Sequence, residues 1–116
     1  MKYRGVCKET GEWVVGMVDS MRKNIVKTYT ENGEEKFIKI PVESRTVTAY
    51  VGIRDNFDND LFEGDIIEID SIVFSGRYVI SWDSKNLRYI FLANDGYLTY
   101  QDFKHENFYR VDCIYE

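Results

Sequence analysis

The sequence predicts a mainly β, single-domain fold of antiparallel strands with barrel-like or sandwich curvature. Apolar and polar residues alternate over short runs, and residues that favour turns separate these runs about every 8–12 residues. Long segments lack the 3.6-residue periodicity of an amphipathic helix. The pattern therefore allows at most a short helix near residues 101–108.

Clusters of Asn, Asp and Gly mark the predicted turns. Asn and Gly tolerate positive φ at little cost, so they fit tight reversals between strands. The clusters are Glu9-Thr10-Gly11, Glu31-Asn32-Gly33-Glu34, Asp83-Ser84-Lys85-Asn86 and Asn94-Asp95-Gly96. A further turn is expected at Ser75-Gly76, before a strand over residues 77–82.

Between the turns, apolar residues occupy every second position, which is typical of strands with one face on a core. We expect these alternating residues to point inward. They are Trp13, Val15 and Met17; Val47, Ala49, Val51 and Ile53; Tyr78, Ile80 and Trp82; and Leu87, Tyr89, Phe91 and Ala93. Ile67 and Ile69 are also expected in the core.

The composition fits one globular domain of 116 residues, with 44% hydrophobic and 30% charged residues. The net charge is −5, and no run of Lys or Arg suggests binding to a phosphate backbone. No stretch reads as a secretory signal or a membrane helix. We therefore expect a soluble protein in the cytoplasm.

Cys7 and Cys113 form neither a CxxC motif nor a metal-binding spacing. In a cytoplasmic protein, we expect both to be buried as reduced thiols. A disulfide between them and a chemical role are the alternatives.

Residues 46–69, TVTAYVGIRDNFDNDLFEGDIIEI, resemble the signature of the YopX family, in which a T-V strand leads through Y-x-G-[LI]-x-D to E-G-D-I-[IV]. The opening YRG and GEWVVG within residues 3–16 and the ending VDCIYE of residues 111–116 are similar to the two ends of that family. Matching signature positions with structural roles are Tyr50, Gly52, Asp55, Glu63, Gly64 and Asp65. The whole chain, residues 1–116, is thus identified as a single YopX-like domain.

The resemblance implies a β-dominated fold with barrel-like curvature and an origin in phages or integrated elements. It implies no activity and no catalytic residue. The chain departs from the family pattern at turns and strand ends, with Ser44-Arg45 before the T-V pair, Asn59-Asp60 before E-G-D and Asp112-Cys113 near the end.

Residues 55–70 carry seven carboxylates and no Lys or Arg. The structural interpretation is that Gly64 adopts the left-handed conformation of a tight turn and Asp65 accepts backbone N–H bonds across it. In the same interpretation, the surrounding acidic run is a solvated loop and strand face. A functional interpretation is an acidic patch that faces a basic partner. Its candidate residues are Asp55, Asp58, Asp60, Glu63 and Asp65.

A calcium site is disfavoured because the EF-hand pattern fails whether the loop is aligned to begin at Asn56 or at Asp58. Leu61 stands where the loop requires Gly, and Phe62 occupies a ligand position. Catalysis by Glu63, Asp65 or His105 is disfavoured as well, since no nucleophile is paired with the histidine. We expect His105 to lie exposed in a polar loop, and we expect no metal and no cofactor.

The sequence thus predicts a non-enzymatic, phage- or prophage-derived interaction or self-assembly protein. Its many aromatic residues, nine Tyr, seven Phe and two Trp, favour contact with proteins, either a second copy or a host protein. The alternative is a nucleic-acid-associated accessory protein that binds weakly or mimics the charge of DNA. The basic residues for direct binding would be Lys2, Arg4, Lys8, Arg22, Lys23 and Lys27.

Overall fold

The computed structural model describes residues 2–115. Its strands are antiparallel and its helix content is small, so the predicted mainly β class is confirmed. The chain divides between Tyr50 and Val51 into two compact units.

The first unit is a sheet with the strand order β4-β3-β2-β1-β5. Its strands are β1 (Tyr3–Val6), β2 (Trp13–Val18), β3 (Asn24–Glu31), β4 (Glu34–Pro41) and the beginning of β5 (Thr48–Arg54). A short 3₁₀ turn, Ser44–Thr46, precedes β5. Thr46 is buried in this turn, and its hydroxyl accepts a hydrogen bond from the backbone N–H of Val6 at 2.9 Å.

The β3–β4 hairpin forms where the sequence predicts it. Asn32 and Gly33 have φ angles of 51° and 79°, the two positive values that a type I′ turn requires. The strands then pair without a bulge from Glu31 opposite Glu34 to Asn24 opposite Pro41. The turn after β1 is confirmed too, and Gly11 lies in it at a φ of 74°.

A small core in the first unit contains Ile25, Val42 and Val47, with Tyr3, Val14 and Val18 packed against them. The prediction that Trp13, Val15 and Met17 point inward is wrong for Val15 and Met17, whereas Trp13 is half-buried beside Arg4. Val15 and Met17 are 37% and 55% exposed, and the opposite face of the strand carries the core residues. The sequence of β2, WVVGMV, is apolar on both faces, so alternation alone does not show which face is buried.

The second unit contains the rest of β5, with β6 beside it, and a five-stranded sheet of order β10-β9-β8-β7-β11. Its elements after β5 are β6 (Asp60–Phe62), β7 (Asp65–Asp70), β8 (Gly76–Asp83), β9 (Arg88–Ala93), β10 (Gly96–Leu98), α1 (Tyr100–Phe103) and β11 (Asn107–Cys113). The turns at residues 83–86 and 94–96 are confirmed. The turn before β8 covers residues 71–75, and Gly76 opens the strand itself.

The larger core lies in the second unit. It consists of Leu61, Ile67, Ile69, Ile80, Phe91, Phe103 and Phe108. Phe103 is the aromatic centre, with edge-to-face contacts at 4.7 Å to Phe91 and 5.2 Å to Phe108. Trp82 and Leu87, expected inside, are 43% and 75% exposed. Leu87 lies in the β8–β9 turn with a φ of 53°, which takes it off the strand.

The predicted short helix is present as α1, which begins one residue before the expected segment of residues 101–108 and covers only its first part, to Phe103. Asp102 accepts a hydrogen bond from the backbone N–H of Thr99 at 2.8 Å, one half of a capping box. This turn of helix places Phe103 in the core.

Cys7 and Cys113 are both buried as thiols, as predicted. Within residues 2–115, no helix is long and apolar enough to cross a bilayer.

Candidate functional site

The acidic segment was the first candidate site, and its leading residue is Asp55. This carboxylate is 7% exposed and lies at the start of the Asp55 loop, which we define as residues 55–59. Its Oδ1 accepts hydrogen bonds from the backbone N–H groups of Phe57 and Asn59, each at 2.9 Å. Its Oδ2 accepts from the Asn59 side chain at 3.1 Å and from the backbone N–H of Arg110 at 3.0 Å.

The surroundings of Asp55 favour its charged form. Burial raises the pKa of the Asp55 carboxyl, but hydrogen bonds from Arg110, Asn59 and Phe57 outweigh burial, and the pKa falls below its ordinary value. A carboxylate that accepts several N–H bonds is stabilised as the anion. Asp55 therefore holds the loop together as a structural anion.

The Asp55 loop is also attached to β11 through Asn56. The backbone N–H of Asn56 donates to the carbonyl of Phe108, and the Asn56 side chain accepts from the N–H of Phe108, both at 3.0 Å. β11 is the outer strand of its sheet, so these bonds cover backbone groups on its open edge. Such covering protects an edge strand from pairing with other chains.

The second buried carboxylate is Asp65, which is fully buried. Its Oδ2 accepts the backbone N–H of Phe62 at 2.8 Å, so the predicted bond across the E-G-D turn is confirmed. Gly64 has a φ of 90°, as predicted for the turn. Its N–H donates to Ile80, and its carbonyl accepts from Ile114.

The predicted acidic patch is therefore wrong for two of its five residues. Asp55 and Asp65 are buried, so they cannot contact a partner. Their carboxylates accept hydrogen bonds from backbone N–H groups of the same chain. Of the others, Asp58 is exposed while Asp60 and Glu63 are half-buried. Arg54 lies 3.3 Å from Asp58 and 3.0 Å from Asp60, so part of this charge is neutralised.

The other sequence-derived candidates do not form a site either. His105 is exposed after α1, as expected. Among residues 2–115, no three His, Cys, Asp or Glu side chains lie close enough to hold a metal ion. Tyr50 and Gly52 lie on β5, where the backbone N–H of Tyr50 donates to the carbonyl of Lys2 and Gly52 has a φ of 91°.

Two of the basic candidates serve the fold of the first unit. Arg4 is 3% exposed and stacks on Trp13 at 4.3 Å. Arg22 donates to the carbonyl of Val47 at 3.0 Å. Lys8, Lys23 and Lys27 are exposed, and Lys2 is half-buried.

The most unusual surface is one that the sequence analysis did not select. The cross-strand pairs Met17–Val26 and Thr28–Phe37 place apolar side chains of β2, β3 and β4 on one side of the sheet. We call this side the open face. It comprises Val15, Met17, Val26, Thr28, Thr30, Glu35, Phe37 and Lys39.

The open face contains a shallow groove of about 650 Å³. β2 and β3 pair only through Met17–Val26 and Val18–Ile25, and the groove lies where they diverge. Met17 and Phe37 are 55% and 63% exposed. Large apolar side chains that are exposed on one face of a sheet favour a contact site.

Beyond Val26, the β3–β4 hairpin extends as a ribbon of two strands with both sides exposed. Tyr29 and Ile38 on its other side are 46% and 52% exposed. The signal for this ribbon was present in the sequence as the alternation Glu35-Phe37-Lys39, between the Asn32-Gly33 turn and Pro41. The alternation shows a strand, but it cannot show that neither side is covered.

These observations define an antiparallel, mainly β protein whose two buried carboxylates, Asp55 and Asp65, are structural and whose open surface lies on a hairpin. Residues 2–116 match the YopX protein family, and the chain belongs to that family. The match covers the segments whose resemblance was drawn from the sequence. No curated protein and no solved structure matches the chain.

Proposed function

We propose that this chain is a non-enzymatic protein of phage or prophage origin that acts through protein contacts in the cytoplasm of a bacterial host. Its first partner is a second copy of itself, and a host protein is the second. The β3–β4 hairpin with its exposed Phe37 carries this proposal.

The physical argument starts from the instability of an uncovered hairpin. A two-stranded ribbon in water is marginally stable, whereas three or more strands with a covered face are stable. The hairpin nevertheless presents Tyr29, Phe37 and Ile38 to solvent. A partner that covers these side chains would remove apolar surface from water and stabilise the ribbon.

The acidic segment contributes less to this proposal than the sequence suggested. Two of its carboxylates are buried, and Arg54 bridges Asp58 and Asp60. Surface ion pairs of this kind are weak, but they reduce the negative field that would attract a basic partner.

Nucleic-acid binding receives no support from a specific observation. Arg4 is buried and donates to the hydroxyl of Thr48, which removes one cation from the predicted basic surface, and Arg22 donates to the carbonyl of Val47. A gel shift that weakens steeply with added salt would establish it and would replace the present proposal.

Light scattering coupled to size-exclusion chromatography tests the proposal. We expect the wild-type chain to show a mass above the 13.7 kDa of one copy and the Phe37→Lys variant to return toward that mass. Ile72→Lys is the matched control, because Ile72 is equally apolar and fully exposed but lies in the turn before β8. A wild-type chain that stays at one copy and captures no host protein would contradict the proposal.

A further inference from the structure

The self-contact proposed above can be given a geometry, and this inference rests on that proposal. β4 is an outer strand in the described part of the chain, paired with β3 on one side only. It has eight residues and pairs with β3 without a bulge. A long, regular strand with one open edge is a template for pairing with another strand.

The hairpin turn determines which backbone groups of β4 are open. A two-residue turn is closed by a hydrogen bond between its flanking residues, here Glu31 and Glu34. Hydrogen-bonded and non-hydrogen-bonded positions then alternate along the pair. Lys36 and Ile38 therefore direct their N–H and C=O groups to β3. Glu35, Phe37 and Lys39 direct theirs to the open edge.

The same odd-numbered residues have their side chains on the open face. Their order is acidic, aromatic, basic, which is self-complementary when the strand meets a reversed copy of itself. With Phe37 opposite Phe37 of the second copy, each Glu35 lies opposite a Lys39. Opposite charges in such cross-strand positions are favourable, and like charges are not.

Other registers of the β4–β4 pair leave charges or backbone hydrogen-bonding groups without a suitable partner. Centring the pair on Lys36 places two like charges opposite each other. Centring it on Ile38 places Glu35 opposite Pro41, which has no N–H to donate. In addition, the carbonyl of Pro41 already accepts the N–H of Lys8 at 3.0 Å. Only the register centred on Phe37 pairs both charges and uses every open N–H group from Glu35 to Lys39.

We infer that two copies of the chain associate edge to edge through β4, antiparallel and centred on Phe37. The product is a four-stranded ribbon, β3-β4-β4-β3, whose inner strands have no open edge. This arrangement is isologous, so it closes as a dimer with two-fold symmetry. It also brings the two open faces together on one side of the ribbon.

Charge reversal tests the pairing of Glu35 with Lys39. We expect Glu35→Lys and Lys39→Glu each to weaken self-association by about tenfold, because each variant places like charges opposite each other twice per dimer. The double variant restores the complementary order and recovers association. Glu34→Lys is the control, since Glu34 lies on the other side of the ribbon. Sedimentation analysis measures association, and circular dichroism verifies folding.

Cysteine cross-linking tests the register directly. In this register the Cα atoms of residue 37 in the two copies lie about 5.5 Å apart, within the range of a disulfide. We expect Phe37→Cys to form a disulfide-linked dimer on mild oxidation. Glu35→Cys alone does not, because its two copies lie roughly 14 Å apart, but a mixture with Lys39→Cys cross-links. The wild-type chain, whose two native thiols are buried, is the background control.

The outcomes separate the two proposals. A monomeric wild-type chain overturns the proposed self-contact and this inference with it. A wild-type oligomer that survives both charge reversals overturns this inference alone. Cross-linking at residue 36 or 38 in place of residue 37 would also overturn the register.

Discussion

The Oδ2 atom of Asp55 lies 3.0 Å from the backbone nitrogen of Arg110, 55 residues further along the chain. The contact lies where the pairing of β11 with β7 shifts register between Arg110 and Asp112. A bulge interrupts regular pairing and bends the strand. The carboxylate therefore satisfies a backbone donor on an irregular edge, which explains why this acidic residue is buried.

Replacing Asp55 with Asn should destabilise the protein by about 1–3 kcal/mol. The side-chain NH₂ group of the new Asn would take the place of Oδ2, which now accepts hydrogen bonds from the Asn59 side chain and the backbone N–H of Arg110. These two donors would then face another donor. Urea denaturation gives the change in unfolding free energy. Asp58→Asn is the control, because Asp58 is exposed and its bridge to Arg54 is worth at most about 1 kcal/mol. Equal stability of the two variants would show that the buried bonds are unimportant.

The lowered pKa of Asp55 makes a signed prediction about acid stability. Because the folded state holds the proton less tightly than the unfolded state, this group stabilises the fold above its ordinary pKa of 3.8. The stabilisation is lost as the pH falls through the lower, folded-state value. Unfolding free energies between neutral and acidic pH should therefore decline less steeply in Asp55→Asn than in the wild type. Parallel curves for the two proteins would contradict the assignment.

Gly64 and Gly52 form a natural pair for testing the E-G-D turn. Their φ angles are 90° and 91°, so an alanine at either position bears a similar backbone cost of about 1–2 kcal/mol. A Cβ on Gly64 would in addition lie 2.8 Å from the Tyr115 ring, whereas the space at Gly52 is open. We expect Gly64→Ala to lower the melting temperature more than Gly52→Ala. The opposite ranking would exclude the contact with Tyr115 as a constraint on the turn.

Gly16 should be the glycine least tolerant of substitution in the first unit. A Cβ there would lie 2.6 Å from the carbonyl oxygen of Val26 and 3.0 Å from Ile25. Because the first of these atoms belongs to the backbone of β3, relief requires the strands to separate. We expect Gly16→Ala to lower the free energy of unfolding by about 1–3 kcal/mol, as measured by thermal denaturation. Val15→Ala, on the exposed side of the same strand, should change stability by less than about 0.5 kcal/mol.

The fold was largely predictable where local chemistry determines it. Asn32-Gly33 can hardly form anything but a tight turn, and the alternation around Ile67 and Ile69 defines their inward side. On β2 the same reasoning chose the wrong side. Val14 and Val18 alternate as regularly as Val15 and Met17, so periodicity shows two faces without showing which one is covered.

The candidate site was harder to predict for a related reason. A run of carboxylates is normally solvated, and nothing near Asp55 in the sequence shows that the N–H of Arg110 approaches it. Asp65 was easier, because its partner Phe62 lies three residues away. The open face depends on the absence of a covering element, which a pattern of residues within one strand does not encode.

Amide hydrogen exchange resolved by residue is the most direct test of the central claim that the β4 edge is a self-contact surface. In a single copy, the amides of Lys36 and Ile38 are protected by β3, while those of Glu35, Phe37 and Lys39 are open to water. We predict that exchange at these three open amides slows as the protein concentration rises. If the Phe37 amide exchanges equally fast at low and high concentration, the β4 edge is not where two copies meet.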